Sequence, residues 1–359
     1  MLEYQMRGLL LAGGHGTRLR PLTFSGNKHM LPIANKPMIL YGLEHLTNAG
    51  ITEIGVILGP VYERIIEHLG DGSRFNCKIT YIHQDEPKGI AHAVLMAEEF
   101  LQDEPFVVYL GDNLLKQGVC PLVETFRRNF PDCVICISEV ENPHQYGVVE
   151  LNARGGIHKL IEKPKSPRSK FALVGTYLFN KSIFEAIRNI KPSQRAELEI
   201  TDAIQYLHEH GKRIKIIKVR DWWKDTGKPE DLLIANKLVL SGIKREIHGK
   251  VMKGAKVIGN VHVGTNSIIH SGAIIKGPAI IGQNCEIHST VDVGPYASID
   301  NNVKLVSGII TNSIVMENSI IDCNKHISNS IVGKNSILVK HSNSDEVNVR
   351  LGENSSIYF

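Results

Sequence analysis

The sequence predicts an α/β fold, a doubly wound and mainly parallel sheet, followed by a left-handed parallel β-helix. Two observations carry this. Between residues 7 and 240, apolar runs of strand length alternate with segments whose apolar residues recur at helical spacing. That is the pattern of repeated β-α-β units in a parallel sheet. From Val251 the texture changes: Val251, Val257, Val263, Ile269, Ile275, Ile281, Ile287, Val293, Ile299 and Leu305 recur every six residues. A period of six suits neither an amphipathic helix nor a hairpin. It is the hexapeptide repeat of a β-helix, in which three hexads close one triangular coil.

The first predicted strand is the apolar run 9–11, and Gly13, Gly14 and Gly16 follow it. Glycines there let the backbone turn tightly and approach a ligand. A loop leaving a strand with its N–H groups exposed cradles anions, and Arg18, Arg20 and Lys28 add fixed cations. No Gly-Lys-Ser/Thr closes the loop, so it is not a Walker A motif. Residues 54–58, 78–83, 106–110 and 134–140 read as further strands, and 61–69, 89–101 and 119–130 as helices. Open α/β sheets bind ligands beyond the carboxyl ends of their strands. The glycine loop, Gln84 and Asp112 each follow a predicted strand and are therefore expected on one rim.

Strands then dominate at 147–151, 157–162 and 171–179, an insertion laid over the sheet. A helix at 197–210, a strand at 213–219 and a last helix at 229–240 follow. Pro229 suits the first helical turn and Gly242 the C-terminal cap. The change of period puts the domain boundary at residue 242, giving 1–242 and 243–359.

In the repeats the aliphatic residue is expected to point inward. Ala255, Ser267, Ala273, Ala279, Cys285 and Ala297, four residues later, suit the tight corners. Past Leu305 the register is expected to slip, at Thr311 and Glu317, in a loop or irregular coil. It resumes through Ile321, Ile327 and Val332-Gly333. His270 and His288, 18 residues or one coil apart, should stack on one face.

With 359 residues, 42% hydrophobic and 22% charged, the chain has the composition of a two-domain globular protein. A net charge of +4 is too small to make nucleic acid the main partner and is compatible with small anionic substrates. Six scattered cysteines make no disulfide framework. Cys133 and Cys136 lie three apart on a predicted strand and face opposite sides, so they read as core residues. No signal-peptide pattern and no apolar run of membrane-spanning length are visible, so the expectation is a cytoplasmic homo-oligomer without membrane or nucleic-acid partners.

Leu11-Ala-Gly-Gly-His-Gly-Thr-Arg-Leu-Arg-Pro-Leu-Thr and Lys28-His-Met-Leu-Pro-Ile-Ala-Asn-Lys-Pro-Met resemble the sugar-1-phosphate nucleotidylyltransferases, which have a Rossmann-like nucleotidyltransferase fold. Within them the chain looks like the long-form glucose-1-phosphate thymidylyltransferases with a C-terminal repeat domain. The resemblance runs from residue 6 to 240, with further motifs in the family's order. It implies transfer of a nucleotidyl group from dTTP to α-D-glucose 1-phosphate, with dTDP-glucose and pyrophosphate as products. Joining two anions calls for a metal and several cations rather than a covalent nucleophile.

The resemblance implies Mg²⁺ on Asp112 and Asp225, Arg18 on the leaving pyrophosphate, and Lys28 on the α-phosphate. His29 in Lys-His-Met departs from the more usual Lys-Gln-Leu. The nucleotide should meet Leu11, Gly13, Gly14, Gly16, Thr17, Gln84, Pro87 and Gly89. An amide such as Gln84 complements the N3–H and carbonyl of thymine or uracil. The sugar phosphate should meet Tyr146, Gly147, Glu162, Lys163, Gly175, Tyr177 and Arg195. Three other readings stay open: UTP or another sugar 1-phosphate, an added acyltransferase on the β-helix with His270 or His288 as base, and a non-catalytic regulatory paralogue. The last would predict eroded catalytic positions, yet Arg18, Lys28, Asp112, Lys163 and Asp225 are all present. Since every residue assigned a catalytic role precedes Leu240, a chain ending near Ser241 is expected to remain active.

Overall fold

The computed structural model describes residues 4–24, 26–339, 346–347 and 350–358. In chain order it has β1 (Arg7–Ala12), β2 (Pro32–Ile33), β3 (Lys36–Pro37), α1 (Met38–Asn48), β4 (Glu53–Leu58) and α2 (Glu63–Leu69). Next come β5 (Lys78–His83), α3 (Ile90–Met96), α4 (Glu98–Leu101), β6 (Phe106–Leu110), β7 (Asn113–Leu115), α5 (Cys120–Asn129) and β8 (Cys133–Glu139). Then follow β9 (Gly147–Leu151), β10 (Ile157–Glu162), β11 (Phe171–Phe179), α6 (Ser182–Asn189), α7 (Ile200–Glu209), β12 (Ile214–Lys218), β13 (Trp223–Asp225) and α8 (Pro229–Leu240). Among the described residues no helix is long and apolar enough to cross a membrane.

By its internal contacts the chain forms two compact units: Met1–His15 with Ile39–Asp225, and Gly16–Met38 with Thr226–Phe359. The first is built on a sheet of order β10-β9-β11-β6-β1-β4-β5, with β8 paired to β11 and β12 to β8. Strands β6, β1, β4 and β5 are parallel neighbours. The chain runs outward from β1 to β5 and then returns to the other flank of β1 as β6, so the order reverses at β1. The carboxyl ends of β1, β5 and β6 share one edge, and Gly13, Gln84 and Asp112 follow those ends as expected. Leu9, Leu10, Phe106, Val107 and Val108 are fully buried, because strands covered on both faces are apolar at every position. Cys133 and Cys136 are buried too. The helix expected over 89–101 is two, α3 and α4. Ala97 (φ −89°, ψ 4°) leaves the α-helical region and caps both.

The second unit holds the β-helix, whose coils stack as parallel strands. Val263, Ile269, Ile275, Ile281, Ile287, Val293, Ile299 and Leu305 are fully buried, as the hexad reading requires. Val251 is 38% exposed, since it lies in the first strand of its stack and has a paired coil on one side only. The slip past Leu305 is not a loop. Val293 pairs with Ile310 and Ile299 with Val315, so the inward positions are Ile310 and Val315 rather than Thr311 and Glu317. Two successive sides of the coil are each one residue shorter, and stacking continues through them.

One row of corners carries asparagine throughout. Asn266, Asn284, Asn302, Asn318, Asn335 and Asn354 all have positive φ, between 53° and 61°, a region asparagine tolerates better than most residues. Each amide donates to the next along the stack at 3.0–3.1 Å.

Segment Gly16–Met38 belongs to this unit through polar contacts. Strands β2 and β3 form a hairpin whose two turn residues, Ala34 and Asn35, have φ of 49° and 61°, a type I′ geometry. The Ala34 N–H donates to Asn236 Oδ1 (2.9 Å) and Asn35 Nδ2 donates to the Ile299 carbonyl (2.6 Å). Asn236, fully buried on α8, also accepts from Ser298 Oγ (2.6 Å) and donates to the Tyr296 carbonyl (3.2 Å). The β-helix thus holds the turn that follows Arg18 and Lys28. Removal of the β-helix, expected from the sequence to leave the chain active, would take away these anchors.

Candidate active site

Strand β7 starts just past Asp112 and pairs antiparallel with β13, placing Asp225 opposite Asn113. The two candidate metal carboxylates are therefore one register step apart. Asn113, which sequence reasoning passed over, holds Asp112 and ties its strand to Trp223. Its Nδ2 donates to Asp112 Oδ1 (3.0 Å), its Oδ1 accepts from Trp223 Nε1 (2.6 Å), and its carbonyl accepts from Tyr109 Oη (3.0 Å). Gly175 on β11 makes room for this amide: a Cβ there would stand 2.7 Å from it. Two carboxylates on a rigid strand pair are the hard oxygen donors that Mg²⁺ takes, so the residues present fit that ion.

On the same rim, Gln84 is 5% exposed. Its Nε2 donates to His92 Nδ1 on α3 (2.9 Å), and its Oε1 would stand 3.1 Å from a Cβ on Gly13. Gly89 (φ 102°) passes against Leu198, whose carbonyl would be 2.4 Å from a Cβ. The loop bearing Pro87 is therefore tied to the segment before α7, and Lys88 O accepts from Leu198 N (2.7 Å).

His92 accepts only when neutral. Burial first, and then the Lys88 ammonium, hold its pKa below the usual 6.5. Folding thus disfavours the protonated ring. The contribution of this contact is complete above the ordinary value and is lost as pH falls through the lowered folded value. The nucleotide KM is expected to rise on that acid side, and His92→Phe should abolish the rise. A nucleotide KM that stays flat well below pH 6.5 in the unsubstituted chain would detach His92 from the site.

A third cluster is centred on Glu162 at the end of β10. Its Oε2 accepts from Thr201 Oγ1 on α7 (2.6 Å), while Oε1 lies 3.3 Å from Arg195 Nη2 and 3.6 Å from Lys163 Nζ. Arg195 is in turn held by both oxygens of buried Glu199 (2.8 and 3.0 Å). Glu199 and Thr201 are further residues missed in sequence, although both lie in the run that begins at Arg195. Burial, then Glu199 and Glu162, raise the Asp202 pKa. Tyr146 packs edge-on against Trp223 (5.4 Å), and its carbonyl accepts from Lys163 N (3.0 Å). Tyr177 is buried in the core with its ring stacked on Phe179.

Gly147 is the tight point of this cluster. A Cβ there would meet Thr201 Oγ1 at 2.5 Å and Glu162 Oε2 at 3.1 Å. Gly147→Ala is expected to raise KM for the sugar phosphate by ~10-fold or more, the scale of one hydrogen bond to a charged group. An unchanged KM in that variant would separate the cluster from sugar-phosphate binding.

Arg18 and Lys28 lie in the second unit. The 3-10 turn Thr17–Leu19 starts from Gly16 (φ 64°), whose backbone lies against the Lys28 side chain, 2.9 Å from a would-be Cβ. Thr23 Oγ1 donates to the Gly16 carbonyl (2.8 Å). The Arg18 guanidinium lies against Gly227, 3.0 Å from a Cβ there.

Residues 7–242 match the nucleotidyl transferase family. The chain is 48% identical over 330 residues to the low-salt glycan biosynthesis nucleotidyltransferase Agl11 of Haloferax volcanii, covering 92% of each. It is 43% identical over 336 residues to a glucose-1-phosphate thymidylyltransferase of Streptomyces antibioticus, again 92% of each. A crystal structure described as a glucose-1-phosphate thymidylyltransferase from Bacillus anthracis, in complex with sucrose, superposes with a TM-score of 0.62 at 37% identity. That match covers 65% of this chain and 94% of the other. With the family match spanning the glycine loop, both aspartates and the Glu162 cluster, this chain belongs to the nucleotidyl transferase family.

Proposed function

We propose that the protein transfers a nucleotidyl group from dTTP to α-D-glucose 1-phosphate, giving dTDP-glucose and pyrophosphate. The observation that supports this reading is the backbone register that sets Asp225 opposite Asn113, next to Asp112. Asp112 and Asp225 would hold a Mg²⁺ ion, which would supply positive charge to two anionic reactants. Arg18 takes the departing pyrophosphate and Lys28 the α-phosphate. A phosphate oxygen of the sugar forms the new P–O bond as the bond to the β-phosphate breaks, and no proton needs to move. Leu11, Gly13, Gly14, Gly16 and Thr17 take the phosphates and the nucleoside. Gln84 reads the base, with Pro87 and Gly89 shaping its loop.

Glu162 would accept from sugar hydroxyls, while Lys163 and Arg195 counter the sugar phosphate; Tyr146, Gly147 and Gly175 complete that side, and the expected Tyr177 is left in the core. The support is the Glu162 network, with one carboxylate ordered from both sides by Thr201 and Arg195.

UTP is a second substrate on this reading, because the base edge that Gln84 addresses is common to thymine and uracil. A C5 methyl and a 2′-hydroxyl separate the two nucleotides, and the methyl is worth ~1–3 kcal/mol. A pyrophosphate-release assay over dTTP, UTP, CTP and GTP with several sugar 1-phosphates tests this. Turnover is expected with dTTP, and with UTP within ~200-fold. Turnover with GTP or CTP and none with dTTP would overturn the assignment.

A further inference from the structure

The outer face of the β-helix carries a set of donors that the proposed reaction does not use. His270 and His288 stand one coil apart, with ring centroids 5.1 Å from each other. Glu286 precedes His288 by two residues on the strand Glu286–Val293, so alternation along the strand puts both on the outer face. Glu286 Oε1 lies 3.3 Å from His270 Nε2 and 3.1 Å from His288 Nε2. Its other oxygen, Oε2, lies 2.9 Å from Lys304 Nζ on the next coil, which leaves Oε1 turned toward the imidazoles.

Both Nε2 atoms are buried, yet neither makes a hydrogen bond within the chain. The carboxylate oxygen is near them in distance but off the direction an N–H would need. Buried polar atoms close together and unsatisfied call for an occupant. Among the described residues, the His, Cys, Asp and Glu side chains that bring three donors within 4.8 Å of one another are these three. Glu246 with His248 and His262 has the same residue types on the first coils, but at 3.7 and 3.6 Å and with ring centroids 5.8 Å apart it stands more open.

Donors bonded at about 2.0–2.2 Å to a tetrahedral ion stand about 3.3–3.5 Å from one another. The His270 separation of 3.3 Å fits that spacing, and the His288 separation of 3.1 Å is ~0.2 Å short of it. Two imidazoles and a carboxylate suit a borderline divalent ion such as Zn²⁺ or Co²⁺ better than Mg²⁺, which wants oxygen alone. We propose that His270, Glu286 and His288 form a three-ligand site for a divalent transition-metal ion of the Zn²⁺ class, bridging two consecutive coils. The fourth position is open to water or to a donor from another molecule. Lys304 is the outer partner that orients the carboxylate, as ligands of such sites generally require.

The test uses the full chain, purified without a histidine tag, stripped with chelator and kept in excess Mg²⁺ so that the aspartate pair is saturated. Zn²⁺ uptake is measured by calorimetry and Co²⁺ uptake by visible absorption, which reports four-coordinate geometry. One strong site per chain is expected, weakened at least ~10-fold in His270→Ala, His288→Ala and the isosteric Glu286→Gln. His262→Ala should leave it unchanged. Circular dichroism and nucleotidyl transfer under Mg²⁺ establish that each variant is folded. Should the alanine variants fail to fold, Glu286→Gln decides. Absence of Zn²⁺ and Co²⁺ uptake in the unsubstituted chain would overturn the site. Equal uptake in folded Glu286→Gln would do the same.

Discussion

Asp112→Asn and Asp225→Asn should each lower kcat by at least ~10²-fold at saturating Mg²⁺, the loss seen when a preorganised stabiliser of developing charge is removed. The change is nearly isosteric, so the pairing of β7 with β13 should survive it. The Asn113–Trp223 hydrogen bond should survive too, since neither partner is altered. What goes is a formal charge next to the reacting phosphates. Two signatures separate this from a folding defect: the melting temperature should move little, and the Mg²⁺ concentration for half-maximal rate should rise. A variant with near-normal turnover would remove that residue from the metal site.

Ending the chain at Ser241 should reduce turnover at least ~10-fold even if the product is soluble. The truncation removes Tyr296 and Ser298, two of the three partners of the buried Asn236 amide, and Ile299, the acceptor for Asn35. The β2–β3 turn would then lose its anchor, and Arg18 and Lys28 lie in the segment that runs into it. Misplacement by about an ångström is enough to cost ~10²-fold in a phosphoryl-transfer site. Asn236→Ala is the milder form of this experiment. It leaves the Ala34 N–H and the Ser298 hydroxyl without their acceptor, at ~1–3 kcal/mol for each buried group left unsatisfied. A lowered melting temperature and a lower kcat per active site should appear together. Full activity in a folded chain ending at Ser241 would show that residues 16–38 hold their conformation without the β-helix.

The sheet was legible because its strands obey a local rule. Runs such as 106–110 are apolar throughout and end in Gly-Asp-Asn, and the insertion strands at 147–151, 157–162 and 171–179 match β9, β10 and β11. The hexad was legible for a similar reason until Leu305. Beyond it the sequence offers adjacent aliphatic pairs, Ile309-Ile310 and Ile314-Val315. Which member points inward is settled by the coil stacked beneath, through Val293 and Ile299. In the candidate site, glycines and aspartates announced themselves by position after strands. Asn113, His92, Glu199 and Thr201 did not, because their parts depend on partners 8 to 110 residues away or on a fork geometry about Arg195. The Asn35–Ile299 contact spans 264 residues and has no local signal at all.

The asparagine corners have a directional consequence. From Asn266 to Asn335 each amide gives its N–H₂ to the oxygen of the following one, and none of these bonds runs the other way. Amide dipoles aligned head to tail reinforce one another, so the hydrogen bonds along this edge of the solenoid share one direction. A coil contacts only its neighbours. Gain or loss of a whole coil would therefore lengthen or shorten this row by one rung and leave its direction unchanged, whereas a single reversed amide would set N–H₂ against N–H₂ on one side and oxygen against oxygen on the other.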